Sequence, residues 1–368
     1  MWIFLFAGLQ RYFLMKRTLP YILLYPLSLV YGGVTAIRNF FFDKNIFKST
    51  RFDIPVISIG NLAVGGTGKT PHTEYLISLL QKNHKIAVLS RGYKRQTKGF
   101  IFTDSLATTE DVGDEPFQIY SKFPDIVVAV DEKRVHGIQE LLKLCPDLDI
   151  ILLDDAFQHR HVNAGFSILL TDYSNLYMQD FLLPSGRLRE SKKGAARADV
   201  IIVTKCPKDI SIQEMQNIAK QIKPLEHQSV FFSIFEYDGL IPVFNSQDTE
   251  ASTDNILVVS GIVSPQPMID YLKKSYKNIQ HLSFPDHHDF TEKDILNIYK
   301  KYNEPNIGNK IIVVTEKDAA RLISNDYYPE ELKPKTYALP IRVKILNNEE
   351  KLFTEKINNY VTKNSRNS

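Results

Sequence analysis

The sequence predicts an α/β protein: a P-loop-type, mostly parallel sheet with helices on both faces, a smaller second α/β domain, and an N-terminal membrane-associated helical segment. Three observations carry this. Beyond residue 50, uniformly apolar runs of strand length alternate with amphipathic stretches of helix length. A glycine-rich turn ending in Lys-Thr, "AVGGTGKTP" (63–71), joins the first such run to a helix. The first fifty residues combine an uncharged apolar stretch with an excess of basic side chains.

A chain of 368 residues is long enough for two domains, each with its own core. With 45 basic against 42 acidic residues, the net charge of +3 gives no reason to expect a nucleic-acid partner. The charge is unevenly spread. Residues 1–51 hold Arg11, Lys16, Arg17, Arg38, Lys44, Lys48 and Arg51 against Asp43 alone. Cys145 and Cys206 provide neither a disulfide framework nor metal-ligand spacing, which fits a reducing cytoplasm and two buried small residues. Nothing in the composition points to an obligate protein partner.

Taken in order, "TLPYILLYPLSLVYGGVTAI" (18–37) carries no charge, and a membrane span needs about 20 apolar residues. Pro20, Pro26, Gly32 and Gly33 interrupt it, and basic residues flank both ends. The expectation is therefore a helix lying at headgroup level on an anionic membrane rather than spanning it. A cleaved signal peptide is not expected, because no small-residue cleavage site follows. The strands come next: "IPVISI" (54–59), "KIAVLS" (85–90), "DIVVAV" (125–130), "DIILLD" (149–154), "FSILLT" (166–171) and "DVIIVT" (199–204). Continuous Val/Ile/Leu runs mark strands buried on both faces, and their alternation with helices implies parallel pairing.

"SVFFSIFEYDGLIPVFN" (229–245) breaks that rhythm and reads as extended linking structure. A second set follows, with "NILVVSGI" (255–262) and "KIIVVTEKD" (310–318) as strands, and "TYALPIRVKI" (336–345) is again extended. The expected organisation is a membrane-associating segment over 1–48, a P-loop core over 49–230, a linker over 231–245, a smaller α/β domain over 246–335, and a returning strand with a C-terminal helix over 336–368.

The turn is a phosphate loop. In "DIPVISIGNLAVGGTGKTP" an apolar strand leads into glycines, then Lys-Thr, then a helix whose first turn accepts Pro71. The usual pattern fails only at Ala63, while Gly65 and Gly66 supply permissive backbone. Residues Ala63, Val64, Gly65, Gly66, Thr67, Gly68, Lys69 and Thr70 are the nucleotide-binding candidates. Backbone N–H groups cradle phosphate oxygens, Lys69 reaches the β- and γ-phosphates, and Thr70 reaches Mg²⁺. Such a loop needs an acid at a neighbouring strand end. "IILLDD" supplies Asp154 and Asp155, adjacent carboxylates whose repulsion a cation relieves, with Gln158 at the same edge. A GTPase would carry an Asn/Thr-Lys-x-Asp motif. "VTKCP" has Pro207 where the aspartate belongs and "VTEKD" has the order wrong, which leaves ATP as the nucleotide.

A hydroxyl attacking phosphorus benefits from a positioned base. "VGDEP" offers Asp114 and Glu115 on a turn, with Pro116 discouraging a helix there. "GRLRESKKGAAR" concentrates Arg187, Arg189, Lys192, Lys193 and Arg197 against Glu190, a segment suited to phosphate or anionic headgroups.

"GNLAVGGTGKTP", "LSRGY" (89–93), "VGDEP" (112–116), "LLDDAFQHR" (152–160), "LPSGRLRE" (183–190), "FPDHHDF" (284–290) and "VTEKDAAR" (314–321) together resemble, in order, the motif series of the tetraacyldisaccharide 4′-kinases, inner-membrane enzymes of lipid A biosynthesis. The resemblance covers nearly the whole chain. It implies transfer of the γ-phosphate of ATP to the 4′-hydroxyl of a tetraacylated glucosamine disaccharide 1-phosphate, forming lipid IVA at the cytoplasmic face of the inner membrane. It also implies that a non-glycine is tolerated at the position of Ala63. By the same resemblance Asp114 is the base, assisted by His287, with His288 as neighbouring competitor. Arg189 and Glu190 match the family motif most closely, Glu190 assisting the metal. Arg134, Arg91 and Glu115 are candidates for the substrate. If His287 acts from the second domain on a phosphate held by the first, the cleft must close for reaction. Against a lipid-sugar kinase stand a membrane-associated P-loop ATPase without a lipid acceptor and a nucleotide-binding scaffold without turnover.

Overall fold

The computed structural model describes residues 2–244, 253–286, 288–304 and 309–364, with side chains from residue 23 onward. In chain order the helices and strands are α1 (Trp2–Asp43), β1 (Val56–Asn61), α2 (Lys69–Leu80), β2 (Ile86–Ser90), β3 (Ile101–Phe102), α3 (Thr109–Val112) and α4 (Asp114–Lys122). There follow β4 (Val127–Val130), α5 (Arg134–Leu144), β5 (Ile150–Leu153), β6 (Phe166–Asp172), β7 (Val200–Thr204), α6 (Ile212–Ile222) and β8 (Ser229–Tyr237). The remainder comprises β9 (Ile241–Pro242), β10 (Asn255–Ser260), α7 (Gln266–Leu272), β11 (Asn278–Ser283), α8 (Glu292–Tyr302), β12 (Lys310–Thr315), α9 (Glu316–Ile323), β13 (Thr336–Leu339), β14 (Ile341–Ile345) and α10 (Glu350–Asn364).

The chain forms two compact units: residues 1–89, 133–234 and 344–368 in the first, and 90–132 with 235–343 in the second. The division is interleaved, whereas the sequence reading assigned 90–132 to the first domain. Within the second unit α4 packs against α9, and Val112, Phe117, Val130 and Ala320 share one apolar cluster. That packing joins segments some 200 positions apart, which no local pattern announces.

In the first unit the strands run in the order β8-β7-β6-β1-β5-β2, and every pairing among them is parallel. β1 is buried along its whole length, as strands covered on both faces should be. On one side Leu169, Ile201, Val203 and Phe232 meet Met215, Ile218 and Ile222 of α6. Phe231 lies one residue along β8 and so points to the opposite face. There it meets Phe353 of α10 edge-on, with ring centroids 5.3 Å apart.

The second unit centres on a sheet ordered β11-β10-β12-β13-β9, parallel except where β9 pairs antiparallel with β13. Alternation is explicit here. Leu257, Val259, Ile312 and Val314 pack with Ile295 and Ile298 of α8 on one face. Their neighbours Ile256, Val258, Ile311 and Val313 pack with Met268 and Leu272 of α7 on the other.

Two local expectations are corrected. α1 is one helix through Pro26, Gly32 and Gly33 rather than an interrupted stretch. At Gly32 the helix passes close to Leu182, whose Cδ1 would lie 2.7 Å from a Cβ there and would have to shift. Asp114 and Glu115 stand in the first turn of α4, not on a turn. Pro116 is tolerated because the first turn of a helix leaves its N–H groups without intrahelical partners.

α1 is two-faced from residue 23. Ser28 Oγ donates to Ser185 Oγ at 2.7 Å, Tyr31 to the Arg189 carbonyl at 2.7 Å, and Asn39 Nδ2 to Glu190 Oε2 at 2.9 Å. Leu23, Leu27, Val30, Val34 and Ile37, spaced at three and four along the other face, are each 57–72% exposed. Among the described residues no helix is long and apolar enough to cross a membrane.

Candidate active site

β1 sits between β5 and β6, and its following loop emerges where the strand order reverses, the crevice in which α/β sheets bind ligands. Val64 N donates to the Arg187 carbonyl at 2.8 Å and Arg189 N to the Leu62 carbonyl at 2.7 Å, and Ala63 bridges antiparallel to Leu188. The backbone at 62–64 is therefore extended. No left-handed residue is needed at the position where the usual pattern has glycine, and alanine fits.

Left-handed geometry falls instead on Gly65 (φ 111°) and Gly68 (φ 85°), where a side chain would be strained. A Cβ at Gly65 or Gly66 would meet nothing within 4 Å, so the turn is open on the side they face. Gly68 is the N-cap of α2. Backbone donors at a helix N-terminus around such an opening make an anion site.

Asp154 is fully buried, and its Oδ1 accepts from Thr73 Oγ1 at 3.1 Å. Asp155, left-handed at φ 45°, receives Arg189 Nη1 at 2.9 and 3.1 Å, with Lys69 Nζ 3.7 Å away. Burial pushes the Asp155 carboxyl up, but Lys69 and then Arg189 outweigh it and hold the group below the usual carboxylate range. The structure thus brings Lys69, Asp155 and Arg189 together at the loop, with Thr70 in the first turn of α2. Thr70, Asp154 and Asp155 present hard oxygen donors, a set that suits Mg²⁺.

Gln158 Nε2 donates to the Asn61 carbonyl at 2.8 Å and to Glu190 Oε1 at 3.1 Å. Glu190 also accepts from Arg197 at 2.8 Å and from Asn39, so both its oxygens already face donors within the protein. Arg134 is 2% exposed and reaches the Asp154 carbonyl at 3.4 Å, beneath the strand end rather than at an open surface. Among the described residues no group of three or more His, Cys, Asp or Glu is arranged to hold a metal.

The second unit holds the other candidates. Asp114 Oδ2 accepts from Arg321 Nε at 3.0 Å and Nη2 at 2.6 Å. Arg321 Nη1 donates to Asp318 Oδ1 at 3.0 Å, and Asp318 Oδ2 accepts from Gly261 N at 3.0 Å and Thr315 Oγ1 at 2.7 Å. Burial pushes the Asp318 carboxyl up against those bonds. Burial likewise lowers the Lys317 ammonium, which lies 3.6 Å from Asp286 and feels Glu115. Arg91 is exposed. His288 is 2.9 Å from Asp294 and stacks on Phe284 with ring centroids 5.0 Å apart, a structural engagement. His287 lies outside the described residues.

Sequence reading missed His72, Thr73, Thr204, Lys205, Asp318 and Arg321. Thr204 and Lys205 lay in "VTKCP", weighed only as a failed guanine motif. Asp318 and Arg321 lay in "VTEKDAAR", where their spacing of three on one helix face was the available signal.

His72 gives a first prediction. Its Nδ1 lies 2.7 Å from the Gly68 carbonyl, which only accepts, so Nδ1 carries the proton and Nε2 accepts from Ser233 Oγ at 3.0 Å. Burial lowers its pKa to about 4. Below the ordinary value of 6.5 the unfolded chain binds a proton that the folded chain refuses, so stability falls as pH drops from 6.5 towards 4, by about 3 kcal/mol in all. Urea midpoints measured across that range should show the slope, and His72→Asn should flatten it. An equal slope in the variant would assign the effect to other groups.

The parallel sheet, the left-handed glycines and the Lys69–Asp155 edge define a P-loop nucleotide-binding protein. Residues 20–362 match the profile of the family described as tetraacyldisaccharide-1-P 4′-kinase. A tetraacyldisaccharide 4′-kinase of Bacteroides thetaiotaomicron is 49% identical, over 94% of each chain. One of Flavobacterium johnsoniae is 46% identical, over 93% of this chain and 97% of its own. A crystal structure of LpxK from Aquifex aeolicus in complex with ATP superposes with a TM-score of 0.70 at 29% identity, over 93% of this chain and 99% of that one. The chain belongs to the tetraacyldisaccharide-1-P 4′-kinase family.

Proposed function

We propose that the protein transfers the γ-phosphate of ATP to the 4′-hydroxyl of a tetraacylated glucosamine disaccharide 1-phosphate, releasing ADP and the 1,4′-bisphosphorylated glycolipid. The observation that carries this reading is the open phosphate loop with Lys69 and Arg189 meeting at Asp155, in a chain of this family.

In this reading the N–H groups from Gly65 to Thr70 hold the phosphate chain, and Lys69 and Arg189 bind oxygens of the group in flight. Both cations are engaged by Asp155 here, so Asp155 keeps them aimed at the loop until phosphate oxygens compete for them. Thr70, Asp154 and Asp155, with Gln158 at the same edge, would hold Mg²⁺, which when bound neutralises charge on the β- and γ-phosphates. Asp114 accepts the proton of the attacking hydroxyl, and the Arg321 fork fixes the direction of its carboxylate. Glu115, Arg91 and Lys317 are charged groups of the same unit available to the acceptor. Glu190 acts by holding Arg197, Gln158 and Asn39 in place.

The acceptor is a lipid, and each CH₂ exposed to water costs about 0.8 kcal/mol, so the enzyme works where the lipid is. The exposed stripe Leu23, Leu27, Val30, Val34 and Ile37 on α1 is the surface we assign to the cytoplasmic face of the inner membrane. Replacing Leu27, Val30 and Val34 with serine should lower co-sedimentation with anionic vesicles by ~10-fold or more while ATP binding is kept. Unchanged sedimentation would remove this assignment.

Turnover tests the function. ADP release from Mg²⁺-ATP in detergent should depend on added disaccharide 1-phosphate glycolipid. ADP release at the same rate without it would favour an ATPase lacking a lipid acceptor.

A further inference from the structure

Three consecutive carbonyls of the phosphate loop are each bonded by a side chain from outside the turn. Lys205 Nζ donates to the Gly66 carbonyl. Thr204 Oγ1 donates to the Thr67 carbonyl at 2.9 Å. His72 Nδ1 donates to the Gly68 carbonyl at 2.7 Å. Thr204 and His72 are buried, at 0% and 2% exposure. Lys205 is the charged member and its side chain is 38% exposed.

Lys205 carries a further mark. It follows the last residue of β7 with φ 57°, a left-handed conformation that a lysine adopts at a cost of about 1–3 kcal/mol. That backbone turn accompanies an ammonium held between the loop and Asp172, the last residue of β6, whose Oδ2 is 2.9 Å from Nζ. Asp172 is fixed in its turn by Ser174, whose N and Oγ donate to Oδ1 at 2.8 and 2.5 Å. The ends of β6 and β7 thus build a rigid bracket against the loop.

A phosphate loop works only if its N–H groups face the anion, because a carbonyl oxygen in their place would repel it. Peptide units have one orientation at a time, so anchoring the carbonyls of Gly66, Thr67 and Gly68 outward turns the N–H groups of the same peptide units to the other side: that of Thr67 closes the turn on the Gly65 carbonyl at 3.0 Å, and those of Gly68 and Lys69 are directed towards the anion. A cation behind the loop also adds attraction for a polyanion in front of it. We propose that Lys205, with Thr204 and His72, is a positioning residue that holds the phosphate loop in its anion-accepting orientation before the nucleotide arrives. The proposal rests on the reading of residues 63–70 as the ATP site, and it concerns the triphosphate rather than the base.

Calorimetric titration of Lys205→Met, Lys205→Arg and wild type with Mg²⁺-ATP and with inorganic tripolyphosphate tests it, alongside kcat, the KM for ATP and thermal stability. In Lys205→Met both dissociation constants should rise together by ~10-fold or more, the size expected for losing a hydrogen bond from a charged donor. The KM for ATP should rise with them, while kcat at saturating ATP changes far less. Lys205→Arg should recover most of the affinity for both ligands. Should Lys205→Met not fold, the near-isosteric Thr204→Val must show the same paired rise. A loss confined to ATP would make Lys205 a contact to the nucleoside and overturn the proposal, as would unchanged affinities with only a lower melting temperature. Wild type binding neither ligand would overturn the nucleotide reading itself, and the proposal with it.

Discussion

Asparagine at position 114 should lower kcat by ~10²–10⁴-fold, the range expected if Asp114 is the general base, while the dissociation constant for Mg²⁺-ATP should stay within about two-fold of wild type. The choice of asparagine matters. Arg321 is 3% exposed in its side chain and directs Nε and Nη2 at Asp114 Oδ2. Alanine would leave Nε and Nη2 without an acceptor while Asp318 still holds Nη1, at a cost of about 1–3 kcal/mol for unsatisfied buried donors, and lost stability would then mix with lost chemistry. The asparagine oxygen still accepts from Arg321 but takes no proton. Steady-state rates with ATP titrations on the folded variant separate the two effects. A variant that turns over within ten-fold of wild type would remove Asp114 from the chemistry.

Lys69→Ala strikes the other half of the reaction. Lys69 is 11% exposed in its side chain and already lies at the Asp155 edge. Removing a cation aimed at developing phosphoryl charge costs on the order of 10²–10³-fold in kcat, and here ATP affinity falls as well. Stability should change little, because a pair 3.7 Å apart contributes about 0–1 kcal/mol and Asp155 keeps both bonds from Arg189. Single-turnover rates with a melting curve check this pairing of large kinetic loss and small thermal shift. An intact rate would place the phosphates elsewhere.

The two variants differ in what they spare. Asp114→Asn leaves nucleotide binding and loses transfer; Lys69→Ala loses both.

The parallel strands were legible because each is a run of Val, Ile and Leu buried on both faces, and β1, β5, β6 and β7 fall within or beside the runs that marked them. The loop was legible because Gly65 and Gly68 take left-handed backbone that favours glycine, directly before Lys69 and Thr70. The tolerance of Ala63 followed from the family resemblance alone; its physical basis did not show in the sequence, since it depends on a backbone bridge to Leu188, 125 positions along the chain. The same holds for Asp114 and Arg321, which are 207 positions apart. Charge pairs formed by tertiary contact leave no periodicity behind them. Asp155 and Lys205 were visible as residue types, but their left-handed backbones were not, because nothing in a lysine or an aspartate asks for that conformation as glycine does. The continuity of α1 was hidden by Pro26 and the Gly32–Gly33 pair, which read as breakers although the helix runs through them.

Mass analysis of the lipid product tests the central claim most directly. Purified protein, Mg²⁺-ATP and a tetraacylated disaccharide 1-phosphate should give one new glycolipid heavier by a single phosphate, located on the 4′ position by fragmentation, with one ADP formed per product. ADP accumulating while the glycolipid stays unchanged, or phosphate appearing at another position, would contradict the account.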